Sequence, residues 1–592
     1  MTDKIEPKAA ERAEEFLALA GQFRLGNLVT ESPHPRTHQL SQTAEESIPD
    51  ALGLLFDVDA DVIAAYRRWI ETGAPERISG TVRDALLAGG KVFFTGCGAT
   101  GRLSILLETI WRDFWKRMGE SASPTHPLSH SPILSVVAGG DYALIKSVEG
   151  FEDFAQFGAK QIEDAGVSKG DIVFAITEGG ETSFVIGTAW QGLKKGAKVY
   201  FIYNNPDDIL RENIVRSREI IDEPRIEKIN LTTGPMAVMG STRMQATTIQ
   251  LCAMLTVLEM VAMETAGVPE KFLAGLEQIH ASLSSEDVRE QLAGLVQVEE
   301  SAYRSEHKST YFADALGIDV LTDTTERSPT FCTPAFRKWD DTEASESWTY
   351  LVLPYPDSKQ AWEGMLKRFP HGLAWTEEEI RKLVGPEKAV RQAEIMKQID
   401  LDEILRFRIG LSGLEHRPIR TGDAVISVIT EAEKEFFTLP NGFYRTQMEK
   451  ADASGASMAL IFLGGTDAVE EIKGFLNTWK VKCRSVLLPV PETGLLLDGI
   501  TRVGVKMLLN ALSTCAMVRL GRVMGNCMAA VVPSNLKLID RSIRYVQTLT
   551  GLSYKDACHE LFKSIEYVRP SMQAGREYPP VVTLTVMRVR DA

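Results

Sequence analysis

The sequence is poor in the features that mark secreted, membrane-spanning or nucleic-acid-binding chains, and each shortage excludes a class. No stretch reaches the roughly 18 uninterrupted apolar residues of a bilayer span. The opening MTDKIEPKAAERAEE is polar and acidic, without the apolar core of a secretory signal, so a cytoplasmic location is expected. Cysteine is scarce and odd in number, with seven scattered from Cys97 to Cys558 and no CxxC pair. That spacing suits neither a disulfide framework nor structural zinc. The nine histidines show no HExxH or related spacing, so no metal or other cofactor is expected. Positive charge is also short: 65 Lys and Arg face 80 Asp and Glu, a net charge of −15. Nucleic acid and anionic membrane surfaces would be repelled at long range. Any phosphorylated ligand must therefore be held by local donors.

What remains is an ordinary globular composition, 44% hydrophobic and 24% charged, in a 592-residue chain too long for one core. After a helical arm, residues 21–50 are rich in Pro, Ser, Thr and His and read as a loop. Five short apolar runs follow, at 91–96, 133–139, 171–177, 198–203 and 226–231, separated by helix-length segments. Near-continuous apolar strands alternating with helices indicate a parallel sheet covered on both faces. Past a helical connector near 274–304 the rhythm returns, with candidate strands at 318–323, 348–354, 424–430, 458–464 and 484–490. The third run of each half shares its wording, GDIVFAITE from Gly170 and GDAVISVITE from Gly422, which favours an internal duplication. The expectation is a tandem of doubly wound, five-stranded α/β units ending in a helical segment.

Three loops of the first half carry the chemistry. TGCGATGRLS (Thr95 to Ser104) follows the first strand and opens onto a helix with an apolar stripe. Its glycines permit close backbone approach, and the helix N-terminus favours an anion. The same GxGxxG spacing occurs in dinucleotide sites, but no suitably placed acidic residue follows the second strand. ITEGGETS (Ile176 to Ser183) follows the third strand, with Thr177, Gly180, Glu181 and Thr182 at the usual ligand edge; a helix cap from Thr182 or Ser183 is the alternative there. GPMAVMGSTRMQATT (Gly234 to Thr248) follows the fifth and clusters Ser241, Thr242 and Arg243. Arg243 suits either a bidentate phosphate contact or a surface salt bridge. Cys97 reads as a small spacer. Asn526 and Asn535 have no role derivable from sequence.

TGCGATGRLS, the AGGDYAL…VEGFEDF stretch (Ala138 to Phe154), GSTRM and the Leu508–Ser542 segment occur in one order. Together they resemble N-acetylmuramic acid 6-phosphate etherases and the glucokinase regulatory protein, both of the sugar isomerase (SIS) family. The GGET element is similar to the SGET loop of hexose-phosphate isomerases. The resemblance covers most of 60–260 and 500–565 and implies SIS-type, flavodoxin-like domains. About 260 residues separate GSTRM from the distal segment, the tandem arrangement of the regulatory protein, so one chain would mimic an etherase homodimer. The implied organisation is an arm over 1–50, a ligand-binding SIS domain over 51–273, a second over 274–525 and a helical lid over 526–592. The second half's loops, read as TDTTERS and ITEAEKE, lack glycine, and its site is expected to be degenerate.

The resemblance implies phosphate contacts from the Gly98–Ala99–Thr100 turn, Thr182 and Ser241, and from Lys506 in the distal segment. It matches Glu152 to the etherase base and Glu149 to a sugar-contacting glutamate. The etherases' second glutamate corresponds here to Ile110, and Glu108 lies about 200° away around the helix. Ether cleavage needs both a base and an acid, each contributing roughly 10²–10⁴ in rate. A sugar-phosphate sensor or regulator is therefore expected over a lyase, with an aldose–ketose isomerase third. The expected ligands are a hexose 6-phosphate, fructose 1-phosphate or N-acetylmuramic acid 6-phosphate, and a sugar kinase is the expected protein partner.

Overall fold

The structure, a computed structural model, describes residues 2–20, 25–121, 127–128, 132–148, 150–263 and 265–591. The five runs of the first half are strands: β1 Val92–Gly96, β2 Ile133–Val137, β3 Ile172–Ile176, β4 Lys198–Tyr203 and β5 Ile226–Asn230. They pair in parallel in the order β2-β1-β3-β4-β5. Every residue of β1 and β3 is buried, as sheet covered on both faces requires. Phe94, Phe174 and Tyr200 lie in register on β1, β3 and β4, with stacked rings 5.2 and 5.0 Å apart. Such a ladder fixes the strand register.

The second sheet contains β6 Ser309–Phe312, β7 Thr349–Val352, β8 Ala424–Thr430, β9 Ser457–Gly464 and β10 Cys483–Pro489. Its order, β10-β9-β8-β6-β7, repeats that of the first half when read from the other edge. Shared strand order supports the duplication. One expected strand was misplaced. Residues 318–323 lie inside the Gly317–Phe331 helix, and the first strand of this half is β6. That helix is buried nearly all round, and its inward charged residues mask the helical apolar period. TDTTERS therefore belongs to a helix, and the loop equivalent to TGCGATG is the turn after β6. The expected loop over 21–50 is also shorter than anticipated. Leu40–Glu46 and Ile48–Ile70 are helical, the latter capped by the Ser47 side chain with Pro49 in its first turn.

The Gly499–Arg519 helix packs against helices of both halves, and Leu536–Thr550, Tyr554–Gln573 and Val581–Asp591 complete the helical C-terminal region. Among the described residues one helix, Gln245–Met263, is long and apolar enough to cross a membrane, with a mean hydropathy of 1.6. Some 83% of that window is buried inside the protein, the position of a core helix.

A buried charged cluster ties the Glu286–Arg304 helix to β6 and the Gly317–Phe331 helix. Arg327 donates to Glu299 at 2.9 and 3.1 Å and to Asp323 at 2.9 and 3.0 Å, with the Tyr311 hydroxyl at 3.1 Å. Removing the cation would leave buried Glu299 without an ion-pair partner and Asp323 with Arg243 alone. Arg327→Met should therefore lower unfolding stability by about 3–5 kcal/mol. Loss of the more exposed Arg304 partner of Glu300 should cost no more than about 1 kcal/mol, both read by urea denaturation.

Candidate functional site

In a sheet ordered 2-1-3-4-5 the chain reverses direction between β1 and β3, and the crevice at their carboxyl ends is the expected ligand position. Three first-half loops meet there. After β1, Gly96 admits no side chain, because a Cβ would lie 2.4 Å from the Thr100 backbone. The Thr100 hydroxyl accepts from the Cys97 N–H at 3.0 Å and donates to the Cys97 carbonyl at 2.9 Å, closing the turn that begins the Ala99–Ser121 helix. After β3, the Thr177 and Thr182 hydroxyls are 3.0 Å apart, and Thr177 also accepts from the Gly180 N–H at 3.3 Å. Thr182 then leads into Ser183–Lys195. After β5, Gly240 adopts φ +74°, and a Cβ there would meet Arg541 and Tyr545 at under 3 Å. Ser241, Thr242 and Arg243 follow, just before Gln245–Met263.

A fourth element arrives from far along the chain. Asn535 caps Leu536–Thr550, its side-chain oxygen accepting from the Leu538 N–H at 2.9 Å. Its amide donates to Glu152 Oε1 at 2.6 Å, across 383 positions. The other Glu152 oxygen accepts from Cys97 Sγ at 2.9 Å. Four helix N-termini thus border a cavity of about 140 Å³ lined by Gly98, Ala99, Glu152, Thr182, Ser241, Thr242 and Arg243 among others. Unsatisfied N–H groups and aligned dipoles make such ends favourable for an anion.

Lys537, on the first turn of Leu536–Thr550, also lines the cavity and pairs with Glu181. Burial alone would raise Glu181, but the Lys537 ammonium reverses the sign and holds the carboxyl below its usual range. Glu152 titrates above its usual range, because burial outweighs the Cys97 hydrogen bond and the charge of Lys537. Glu178, on the same cavity wall, is pushed up to about 7 by burial despite Lys537. Burial and the adjacent Glu152 also push the Cys97 thiol well above its usual range, so it is no thiolate.

The remaining candidates fall differently. Thr100, Thr177, Gly180 and Glu181 stand behind the lining and shape its loops. Arg243 borders the cavity, but its guanidinium is buried and turned to Asp323 at 3.2 Å, Ser513 at 3.0 Å and Thr514 at 2.9 Å. It is neither a surface salt bridge nor a free phosphate clamp. Lys506 lines a narrower adjoining cavity of about 40 Å³ and donates to the Arg243 carbonyl at 2.6 Å. Burial lowers it to about 8, although Asp59 opposes the shift. Glu149 lies outside the described residues. Ile110 is 2% exposed in the core, and Glu108 points to Ser135, Arg112 and Arg368 instead of the cavity. Among the described residues no group of three or more His, Cys, Asp or Glu side chains is arranged to hold a metal ion.

Sequence reasoning missed Asn535, Lys537 and Arg541, which also lines the cavity and grips Glu31 through two hydrogen bonds of 2.8 and 2.5 Å. The available signal was an Asn cap followed by basic residues spaced i, i+4 on one helix face. Glu326 and Arg102, joined at 2.9 Å, were missed because Glu326 comes from the Gly317–Phe331 helix of the second half.

The equivalent place in the second half is built otherwise. Glu433 accepts from the N–H groups of Ala315 at 3.2 Å and Thr430 at 2.9 Å and from the Tyr444 hydroxyl at 2.5 Å. Ala315 lies in the turn after β6. The protein's own carboxylate thus takes the Ala315 donor of that turn. The surrounding cavity is acidic, with Asp113, Asp314, Glu431, Asp467, Glu492 and Asp498 at its walls.

Residues 76–191 match the family model of the glucokinase regulatory protein N-terminal SIS domain. An N-acetylmuramic acid 6-phosphate etherase of Clostridioides difficile is 30% identical over 242 residues, 40% of this chain and 70% of the relative. One from Synechocystis sp. is 31% identical over 244 residues, with coverage of 41% and 70%. Among solved structures, tagatose-6-phosphate ketose/aldose isomerase from Escherichia coli aligns over 83% of this chain and 95% of its own, at 8% identity and a TM-score of 0.41.

The Glu178 shift carries a sign. Its carboxyl holds a proton more tightly folded than unfolded, so this contribution to stability is full below about 4.5 and is lost as pH rises through about 7. Glu178→Gln should remove that slope, gaining up to about 3 kcal/mol on the parent between pH 4.5 and pH 8 in urea titrations.

Proposed function

The chain belongs to the SIS-domain family of the N-acetylmuramic acid 6-phosphate etherases, and from that membership we propose that it is a cytoplasmic sugar-phosphate sensor. The observation that carries the reading is the convergence of four helix N-termini on one cavity, with Lys537 beside it. The phosphate sits against the Gly98–Thr100 turn and the hydroxyls of Thr182, Ser241 and Thr242. Glu152 and Asn535 face the sugar hydroxyls. A cavity of about 140 Å³ is small beside the roughly 300–1,000 Å³ of most small-molecule sites, so a ligand moves a wall as it enters. The wall made by Leu536–Thr550 belongs to the C-terminal helices, and its displacement changes the surface offered to a partner, for which a sugar kinase is the candidate. The occupied donors around Glu433 and the acidic walls there favour one ligand per chain, held by residues 51–273 and the C-terminal helices.

A regulator is favoured over a lyase because the etherases' second carboxylate corresponds to Ile110, which lies in the apolar core. One observation supports the lyase as second reading. Glu178 shares the cavity with Glu152 and titrates near 7, where a general acid works best.

Thermal and isothermal titrations with fructose 6-phosphate, fructose 1-phosphate, glucosamine 6-phosphate and N-acetylmuramic acid 6-phosphate decide between them. Binding of one sugar phosphate per chain should stabilise the fold by about 2.7 kcal/mol at a hundred times Kd, with no lactate released. Thr182→Val and Ser241→Ala should each weaken binding by about fivefold. Lactate release from N-acetylmuramic acid 6-phosphate, abolished in Glu152→Gln, would replace the sensor with the lyase.

A further inference from the structure

A larger cavity, about 600 Å³, adjoins the first, with Ser147 and Pro329 lining both. Its size lies within the range of about 300–1,000 Å³ usual for small-molecule sites. Its charge runs against the rest of the chain. Arg12, Lys146, Arg337, Lys338, Arg569 and Arg576 line it, against two carboxylates, Asp341 and Glu577.

Part of that charge is already answered: Lys338 pairs with Glu403, and Arg12 and Arg569 share Glu566. Both lining carboxylates are engaged, Asp341 by the N–H groups of Glu343 and Ala344, Glu577 by the Trp348 indole. Among the described residues no carboxylate lies within ion-pair distance of Lys146, Arg337 or Arg576, and Arg569 Nε is buried without a hydrogen-bond partner. An acidic protein that leaves three cations without a carboxylate around one cavity, Arg337 held only by the Ala344 carbonyl at 3.1 Å, has room there for an anion.

The same walls also carry aromatic side chains, Phe336 half-buried and Tyr142 and Phe407 reaching the cavity only by an edge. Tyr142 and Phe407 pack edge to face at 5.9 Å, and Phe336 lines the cavity beside them. Cys332, in the wall at the end of the Gly317–Phe331 helix, holds φ at +53°, a strained conformation for a residue with a side chain. We propose that this cavity is a second ligand site, for a nucleoside phosphate: the ring lies against Tyr142, Phe336 and Phe407, and the phosphates meet Lys146, Arg337 and Arg576.

The site is placed to act on the first. The Gly317–Phe331 helix presents Thr325 and Ser328 to the larger cavity, Glu326 to the smaller and Pro329 to both. Thr325 is pinned to the Leu144 carbonyl at 2.6 Å. A ligand on either side loads the same helical turn, and the coupling is reciprocal by linkage. This coupling, unlike the binding itself, rests on the sugar-phosphate reading of the first cavity.

Calorimetric titration of the full chain with ADP, pyrophosphate and adenosine, in the absence of any sugar phosphate, tests the binding. ADP should bind one per chain and more tightly than either fragment. Lys146 and Arg576 are exposed, so Lys146→Ala with Arg576→Ala should keep the parent circular dichroism while weakening ADP by about tenfold or more. Ser241→Ala should leave ADP affinity unchanged. No ADP binding, or binding indifferent to the double variant, would overturn the site. Pyrophosphate binding as tight as ADP would overturn the nucleoside component. If saturating ADP leaves the affinity for fructose 6-phosphate unchanged, the coupling fails while the site stands.

Discussion

A chain with a net charge of −15 can attract an anion only where it builds positive potential locally. It does so by aiming helix ends at one point. Each N-terminus contributes roughly half a positive charge, concentrated in its first turn. Ala99–Ser121, Ser183–Lys195, Gln245–Met263 and Leu536–Thr550 all begin at the same cavity. Glu152 and Glu178 share that space, and burial shifts both toward the neutral form, which lessens their repulsion for each other and for an anion. Glu181, the neighbour that stays ionised, is matched to Lys537.

The first sheet was legible because its strands are short apolar runs, most of them nearly continuous, set apart by helix-length segments. β6 was not, being four residues with Ser309 and Thr310 among them, while the charged helix behind it looked like a strand of mixed polarity. Burying Asp323 and Arg327 against each other hides the apolar spacing from which a helix is recognised. The same physics limited the reading of the site. Loops that leave strand ends announce themselves through glycine and hydroxyl residues at a helix start. A residue such as Asn535 offers only an ordinary cap, and nothing local indicates that its amide will meet a carboxylate 383 positions earlier. Arg243 shows the converse. Its context suggested exposure or a ligand, yet Asp323, Ser513 and Thr514, all remote in sequence, take its guanidinium.

The two halves share a strand order but have diverged at the corresponding edge. In the first, backbone donors and helix ends face open space; in the second, Glu433 fills the turn with the chain's own oxygen atoms. A built-in carboxylate satisfies the Ala315 donor at no translational cost. The second half also contributes to the first cavity. Its Gly317–Phe331 helix delivers Glu326 to Arg102 across the boundary between the halves, which makes the second unit part of the first unit's cavity wall.

Because one wall of that cavity is supplied by residues 535–541, the pocket is incomplete until that segment has been made. A nascent chain whose first sheet has already emerged from the ribosome presents the three glycine-bearing loops without Asn535 or Lys537, and so with Glu152 and Glu181 lacking those partners.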